Sequence, residues 1–469
     1  MRMYLNGTEY DSLSGTTIPV YNPATGAMID TIPVGNAEDV AAAVEVAEIA
    51  QKKWEGVNQA NKARILIKAG TLIREEVATL ARLLTTEQGK PFHEAKDEIL
   101  GTAHIFEYYA SMTGSIQGDA AFLPKYGYKN VVRRPLGICG AIIPWNMPAI
   151  IFGWKVGSAL ACGNAVVVKP SETAPLTVLR LAKLIDRAGV PPGTLNIVTG
   201  NGVITGDAIV RNTSISHVSF TGSIETGRAV ASAAAPTLKK LTLELGGNDA
   251  FIVTKDADID VAVAGAVRNR FYNCGQVCTS AKRILVEESC VEEFVKKTKV
   301  AIEKLVVGSG LEQVNMGPLN NPAQREAVAS SVDRIVQEEK GKLIIGGKKL
   351  LGPGNFYAPT LLSDVVPDAV TDEIFGPVLP VIPFTTLDEA IWIANSTPYG
   401  LGASVWTKNI TTAYTIIEKI KSGVVWVNQH LILPPEIPFG GTGNSGYGRE
   451  NGNDFIYEYT ESKSILIRM

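Results

Sequence analysis

Three short segments carry residues whose types and spacing suit acyl chemistry. The first is Asn273-Cys274-Gly275-Gln276-Val277-Cys278, in which Cys278 follows a helix-like run (Val261–Phe271) and a glycine-containing turn. A free thiol with a pKa of about 8.5 must be shifted down to attack at neutral pH, and a loop whose N–H groups point at sulfur can contribute that shift. Read alone, Cys278 is equally a small buried hydrophobe, the usual fate of a free cysteine. The second is Glu244, which closes the strand-like Leu241–Leu245 run and leads into Gly246-Gly247. A carboxylate at the carboxyl end of a strand, beside a double glycine, can project into the crevice where α/β enzymes bind ligands. Partial desolvation would raise its pKa toward the working range of a general base. The plainer alternative is an ion pair with Lys239 or Lys240. The third is Asn146 in Pro144-Trp145-Asn146-Met147-Pro148. Two prolines fix its backbone, so the side-chain amide can serve as a preorganised donor to a developing oxyanion, or simply close an Asx turn.

Several strand-to-helix turns have nucleotide-like chemistry. Gly200-Asn201-Gly202-Val203-Ile204-Thr205-Gly206 follows a strand and opens a helix, the place for a phosphate-facing N-terminus, although its spacing is not G-x-G-x-x-G. Phe220-Thr221-Gly222-Ser223 puts a hydroxyl at an expected N-cap. Lys169 and Glu172, in Val168-Lys169-Pro170-Ser171-Glu172, are either an exposed ion pair or a ribose site. In the second case the carboxylate would bind an adenosine 2′-hydroxyl and disfavour a 2′-phosphate.

These turns must be held by a framework. From Asp39 to about Met112 the pattern is helical, with Asp39 and Asn61 as N-caps and the charged residues on a solvated face. Strand-like runs then alternate with helical ones. The strands are Ile138–Ile143, Ala165–Val168, Leu195–Val198, His217–Phe220 and Leu241–Leu245. The helices lie near Ala149–Ala161, Leu176–Ala188, Ile204–Arg211 and Glu225–Ala234. A second series follows Gly246-Gly247: Ala250–Val253, Arg283–Val286, Lys342–Ile345, Val378–Phe384, Ala403–Trp406 and Val424–Val427. Such alternation predicts an α/β protein with two doubly wound domains meeting at a shared cleft. Residues 1–117 and 136–245 form a Rossmann-like domain and residues 246–446 the other. Gly118–Arg134 and Phe455–Ile467 are strand-like but belong to neither series, so 118–135 and 447–469 are assigned to a small β bridging or oligomerisation element. Isolated strands need partners, and another subunit, in a homodimer or homotetramer, is one way to supply them.

Composition narrows the function class. In 469 residues, 45% are hydrophobic and 19% charged, an ordinary globular balance, and the formal net charge is −3. That balance disfavours nucleic-acid binding. Five cysteines and four histidines without metal-ligand spacing predict neither a disulfide framework nor a metal site, and fit a reducing, cytoplasmic setting. Met1–Tyr10 has no apolar core of a secretory signal. Leu136–Val168 holds a single charge, Lys155, but its prolines and glycines argue for buried strand, loop and helix rather than a membrane span.

Together the motifs resemble the aldehyde dehydrogenase superfamily, from Tyr21-Asn22-Pro23-Ala24-Thr25-Gly26 to Pro438-Phe439-Gly440-Gly441 and Ser445-Gly446-Tyr447-Gly448-Arg449-Glu450. The resemblance implies Cys278 as nucleophile, Glu244 as general base and Asn146 as oxyanion donor. It implies NAD, with NADP possible, as cofactor. Lys169, Ser171 and Glu172 would lie at the adenosine ribose. Ile142, Pro144, Trp145, Asn146, Gly202, Gly206, Phe220, Thr221, Gly222, Ser223, Leu245 and Gln324 would surround the dinucleotide, and Glu373 and Phe375 would hold the nicotinamide end. Retention of Glu244 implies hydrolysis of a thioester rather than transfer to coenzyme A. Asn248 stands where a Lys often follows Glu-Leu-Gly-Gly, and Thr442-Gly443-Asn444 departs from the usual substrate-side loop. Cys274 is read as a packing residue, with a reversible Cys274–Cys278 disulfide as the alternative.

The positions matching Trp154 and Tyr272 commonly carry, or lie near, an Arg in relatives that act on succinic semialdehyde; here both are aromatic. Trp154, Phe271, Tyr272, Val277, Thr279 and Phe439 would then line a pocket for a neutral aliphatic, aromatic or small hydroxylated aldehyde. The alternatives are a dicarboxylic semialdehyde dehydrogenase, a thiol hydrolase or acyltransferase without redox chemistry, and a non-catalytic scaffold.

Overall fold

The computed structural model describes residues 1–468. Continuous apolar runs such as Ala165–Lys169, buried at every position, become the interior of a parallel sheet covered on both faces. Eight strands form this first sheet. Its parallel centre runs Lys240–Glu244, Ile215–Thr221, Ile138–Ile142, Ala165–Lys169 and Leu195–Ile197. Gly446–Tyr447 closes one edge antiparallel, and Met3–Leu5 and Thr8–Tyr10 close the other. Register then sorts the chemistry. Ile142 pairs with Lys169 and with Phe220, and Thr221 pairs with Glu244. The carboxyl ends of four neighbouring strands thus present these side chains along one edge.

The second sheet has seven strands in the order Lys342–Ile345, Thr360–Ser363, Val378–Phe384, Arg283–Glu287, Ala250–Val253, Gly402–Trp406 and Val424–Val427. All but the first are parallel. Thr360–Ser363 was not among the expected strands; it is short, fully buried and follows a glycine-rich loop. The first sheet has an apolar core on each face, around Phe152 and Phe220, the former reaching Val424 and Trp426 of the second sheet, whose own core surrounds Phe251.

The chain passes between the sheets at Gly246-Gly247. A Cβ on Gly247 would lie 2.6 Å from the Cys278 carbonyl oxygen, so only glycine admits that approach.

Four helices, Ala37–Glu55, Gln59–Glu75, Val77–Gln88 and Phe92–Met112, fill the expected helical segment. Their caps differ from the expectation. Asn36 and Asn58 are the N-caps, while Asp39 and Asn61 sit three residues later; Asp39 completes a capping box with Asn36. The charges are not all solvated either, since Lys62, Glu87, Lys90, Glu94 and Glu98 are buried.

The helix near Ala149–Ala161 contains a π turn at Gly153–Gly157. A Cβ on Gly157 would meet the Tyr109 ring at 2.7 Å. Near Ile204–Arg211, a π turn at Gly202–Gly206 precedes a short helix, Asp207–Arg211.

The leftover strands pair within this chain, in a three-stranded sheet ordered Thr460–Ile467, Gly127–Pro135, Asp119–Leu123. No second subunit is needed to complete them. Of 447–469, only Thr460–Ile467 lies in that sheet; Phe455–Tyr459 is helical and Tyr447 extends the first sheet. No helix among the described residues is long and apolar enough to cross a membrane.

Candidate active site

Cys278 lies in the loop between the helix Ile259–Phe271 and the strand Arg283–Glu287. Asn273, Cys274 and Gly275 take consecutive left-handed conformations, with φ of 50°, 55° and 72°. Two non-glycine residues in that region cost free energy that the surroundings must offset. Asn273 does so with its side chain, donating to the Asn146 carbonyl at 2.9 Å and the Gln276 carbonyl at 3.1 Å while accepting from Gln88 at 3.0 Å. Its backbone N–H donates to Glu94 at 2.8 Å.

All five cysteines are free thiols, and four are buried; Cys278 alone is partly exposed. It opens onto a cavity of about 550 Å³ lined with Asn146, Trp154, Tyr272, Val277 and Thr279. Phe271 and Phe439 are not in the lining. Phe271 belongs to the core of the second sheet, and Phe439 packs behind Trp154, with ring centroids 5.2 Å apart.

The expected lowering of the thiol pKa is not what the structure has. Burial pushes the Cys278 thiol up to about 12, and the carboxylates of Glu244, Asp249 and Glu373 add to the rise; Lys282 opposes it. Glu244 is raised well above the usual carboxylate range, first by burial and then by Glu450. Neither of its oxygens has a hydrogen-bond partner. Lys239 donates to the Asn212 and Ile215 carbonyls and Lys240 reaches the Tyr457 carbonyl, so neither pairs with Glu244. Asn146 is not used for an Asx turn: its amide donates to the Gln276 carbonyl at 3.1 Å, beside the Cys278 turn.

The nucleotide-like turns converge on the carboxyl edge of the first sheet. A Cβ on Gly206 would lie 3.7 Å from Lys169 Cδ and 4.0 Å from Ile142 Cδ1, whereas one on Gly202 would meet nothing. Lys169 is buried, 3.3 Å from the partly exposed Glu172, so the pair is not the exposed ion pair of the plainer reading. Ser171 is buried beside Thr173. Ser223 caps the helix Ile224–Ala234, and the Leu245 side chain packs on Gly227 of that helix. The Gly222 N–H donates to the Glu244 carbonyl at 3.0 Å.

At the other side of the crevice, the Trp145 ring meets Phe375 edge-on at 5.6 Å. Gln324 donates to the Phe375 carbonyl at 2.7 Å. Glu373 lies at Gly246, and its Oε1 is buried without a hydrogen bond.

Other buried charges around the site were not among the expected residues. Lys155 donates to Ser219 at 2.6 Å and to Glu450 at 2.8 Å, with neither end of the ion pair exposed. Its signal in the sequence was being the lone charge in an apolar run. His430 holds the loop after the thiol: Nε2 donates to the Thr279 carbonyl at 2.8 Å, so Nδ1 accepts from Ser404 at 2.9 Å. Burial pushes this imidazole down to about 4. Asn248, the departure noted after Gly247, donates to the Val370 and Thr371 carbonyls at 2.8 and 3.0 Å.

Residues 10–465 match the model of the Aldehyde dehydrogenase family. The chain is 40% identical to aldehyde dehydrogenase 1A1 of Rattus norvegicus, covering 100% of this chain and 95% of that protein. It is also 40% identical to phenylacetaldehyde dehydrogenase of Pseudomonas fluorescens, over 99% and 95% of the two chains. Among solved structures, PnpE in complex with nicotinamide adenine dinucleotide superposes with a TM-score of 0.98 at 35% identity, covering 99% of this chain and 97% of that one. An E. coli NADP dependent enzyme superposes equally well, 0.98 at 37% identity, over 100% and 98%.

Proposed function

The chain belongs to the aldehyde dehydrogenase family, and from that premise we propose that Cys278 is its nucleophile, Glu244 its general base and Asn146 its oxyanion donor. The activity is oxidation of an aldehyde to its carboxylic acid with NAD. The observation that carries the assignment is the position of the Cys278 thiol. It lines a largely apolar cavity, with Asn146 on the same lining and Glu244 close enough for its charge to act on the sulfur.

The residues present fit the dinucleotide. Glu373 keeps a buried, unfilled acceptor for ribose hydroxyls, and Gly202 leaves open space above a helix-opening turn. Lys169, Ser171 and Glu172 would hold the adenosine ribose. Glu172 favours NAD over NADP by repelling a 2′-phosphate.

Cys278 gives its proton to solvent in the cavity onto which it opens and adds as the thiolate to the aldehyde carbon. The Asn146 amide and the Cys278 N–H meet the oxyanion of the thiohemiacetal. NAD, when bound, supplies the hydride acceptor that turns this adduct into a thioester. Glu244, whose oxygens have no competing donor, takes a proton from the water that attacks the thioester, and the thiol is released with the acid.

The substrate is a neutral aldehyde. Trp154 and Tyr272 supply aromatic walls beside the thiol, and Arg268, the one cation on the lining, shares it with the carboxylate of Asp97; a carboxylate held between the two rings would lack a paired cation. The protein acts in the cytoplasm as a homodimer or homotetramer. The exposed Phe122, Tyr128, Leu466 and Ile467 of the three-stranded sheet support an interface there.

NADH absorbance with a panel of aldehydes and both cofactors tests these readings together. An unbranched neutral aldehyde with NAD should give the higher kcat/KM. A preference for succinic semialdehyde would overturn the substrate reading, and a preference for NADP the cofactor reading.

A further inference from the structure

Lys282 stands four residues after Cys278 and has no role in the chemistry above. Its side chain is 1% exposed. The ammonium donates to the Val277 carbonyl at 2.9 Å and to the Cys278 carbonyl, and stands 3.0 Å from Glu373 Oε1. It also lies 5.9 Å from the centre of the Phe375 ring.

Burying an ammonium is expensive unless its donors and its charge are both answered. A neutral side chain could bond the two carbonyls; the charge is answered by Glu373. The ion pair is off the line of a hydrogen bond, so Glu373 Oε1 keeps its acceptor free. Lys282 therefore holds the carboxylate without consuming the oxygen that a ribose hydroxyl would take.

The carbonyl contacts act on the nucleophile side. The Val277 C=O and the Cys278 N–H belong to one planar peptide, so pinning the oxygen fixes the direction of the N–H. Pinning the Cys278 C=O fixes the other flank of the same residue. Four charged groups act on the thiol: Glu244 and Asp249 from the two sides of the Gly246-Gly247 turn, Glu373 from another segment, and Lys282 as the cation opposing them. His430, bonded to the Thr279 carbonyl, completes the surroundings of the loop.

We propose that Lys282 is a positioning residue that ties the cofactor-side carboxylate of Glu373 to the Cys278 peptide, through one ammonium bonded to the Val277 and Cys278 carbonyls and paired with Glu373. Grip on the cofactor ribose and presentation of the thiol and its N–H are thereby linked. The inference rests on the roles given to Cys278 and Glu373 above.

The test compares the full-length wild type with Lys282→Met, which removes donor and charge, and Lys282→Gln, which keeps a donor alone. Without cofactor, the rate of Cys278 carboxamidomethylation by iodoacetamide is followed across pH by peptide mass spectrometry. NAD affinity is read separately from tryptophan fluorescence. Both variants should move the alkylation profile to higher pH, slowing the reaction at fixed pH on the order of tenfold. Both should weaken the NAD Kd by a similar factor. An unchanged alkylation midpoint in both variants, whatever their thermal stability, overturns the inference. So does an unchanged NAD Kd. A Cys278→Ala protein that still oxidises aldehydes would remove the underlying reading as well. An inactive Cys278→Ala beside wild-type behaviour of Lys282→Met removes the inference alone.

Discussion

Lys90 and Glu98 meet at 2.5 Å with neither side chain exposed, and the same ammonium donates to the Asn146 carbonyl at 2.9 Å. The other Glu98 oxygen accepts the N–H groups of Ala149 and Ile150, at the start of the next helix. One ion pair thus fixes the backbone on both sides of Pro148 and, with it, the direction of the Asn146 amide. Glu98→Gln keeps an acceptor for the two N–H groups but leaves Lys90 with an uncompensated buried charge. It should lower the unfolding free energy by about 3–5 kcal/mol. Urea unfolding of the two proteins checks this, and a loss within error of zero would contradict it.

Glu94 gives a pH dependence of known sign. Burial raises its carboxyl from 4.5 to about 8. The native state therefore holds a proton that the unfolded chain has released, and stability falls as pH rises between those values. The contribution is complete below the unfolded pKa and lost through the folded one. Glu94→Gln can still accept the Asn273 N–H, so it should fold and show a flatter profile. The difference in slope should approach about 1.4 kcal/mol per pH unit inside the window. Parallel urea midpoints for wild type and variant from mildly acid to mildly alkaline pH would refute it.

Glu244→Gln separates the two halves of the reaction. Formation of the thioester does not require the base, whereas its hydrolysis does. A rapid, stoichiometric burst of NADH should precede a steady state slowed roughly hundredfold or more. Stopped-flow absorbance reads both phases. Loss of the burst together with the steady state would place Glu244 in the first half instead.

Glu172 should decide the cofactor. Its carboxylate lies 3.3 Å from Lys169 and is partly exposed, so removing it frees the cation and ends repulsion of a 2′-phosphate. Glu172→Ser should raise kcat/KM for NADP relative to NAD on the order of tenfold. The same ratio in both proteins, measured at saturating aldehyde, would show that another residue discriminates.

The order of the strands within each sheet was not legible in the sequence, but the α/β architecture, the places along the chain of most strands of both sheets and the motif turns were. Those features are local: apolar runs of strand length, helical periodicity and Gly, Pro or Asn at turns constrain the backbone wherever the segment ends up. Cys278, Glu244 and Asn146 stood out for the same reason, each sitting in a short segment with an unusual neighbour. What local pattern could not carry was the fate of charge. Lys90, Glu94 and Glu98 read as a solvated helix face, because such residues on a helix usually point to water. They are buried because Asn273, Asn146 and the start of the next helix, from 51 to 179 residues away in sequence, supply their partners. The Cys278 thiol was expected to be lowered by its own loop. Its pKa is set instead by burial and by carboxylates brought in from separate segments. Phe271 and Phe439 were expected in the pocket as aromatic residues, and packing turned both away. Backbone conformation follows from neighbours along the chain; desolvation and through-space charge follow from neighbours that only the folded chain assembles.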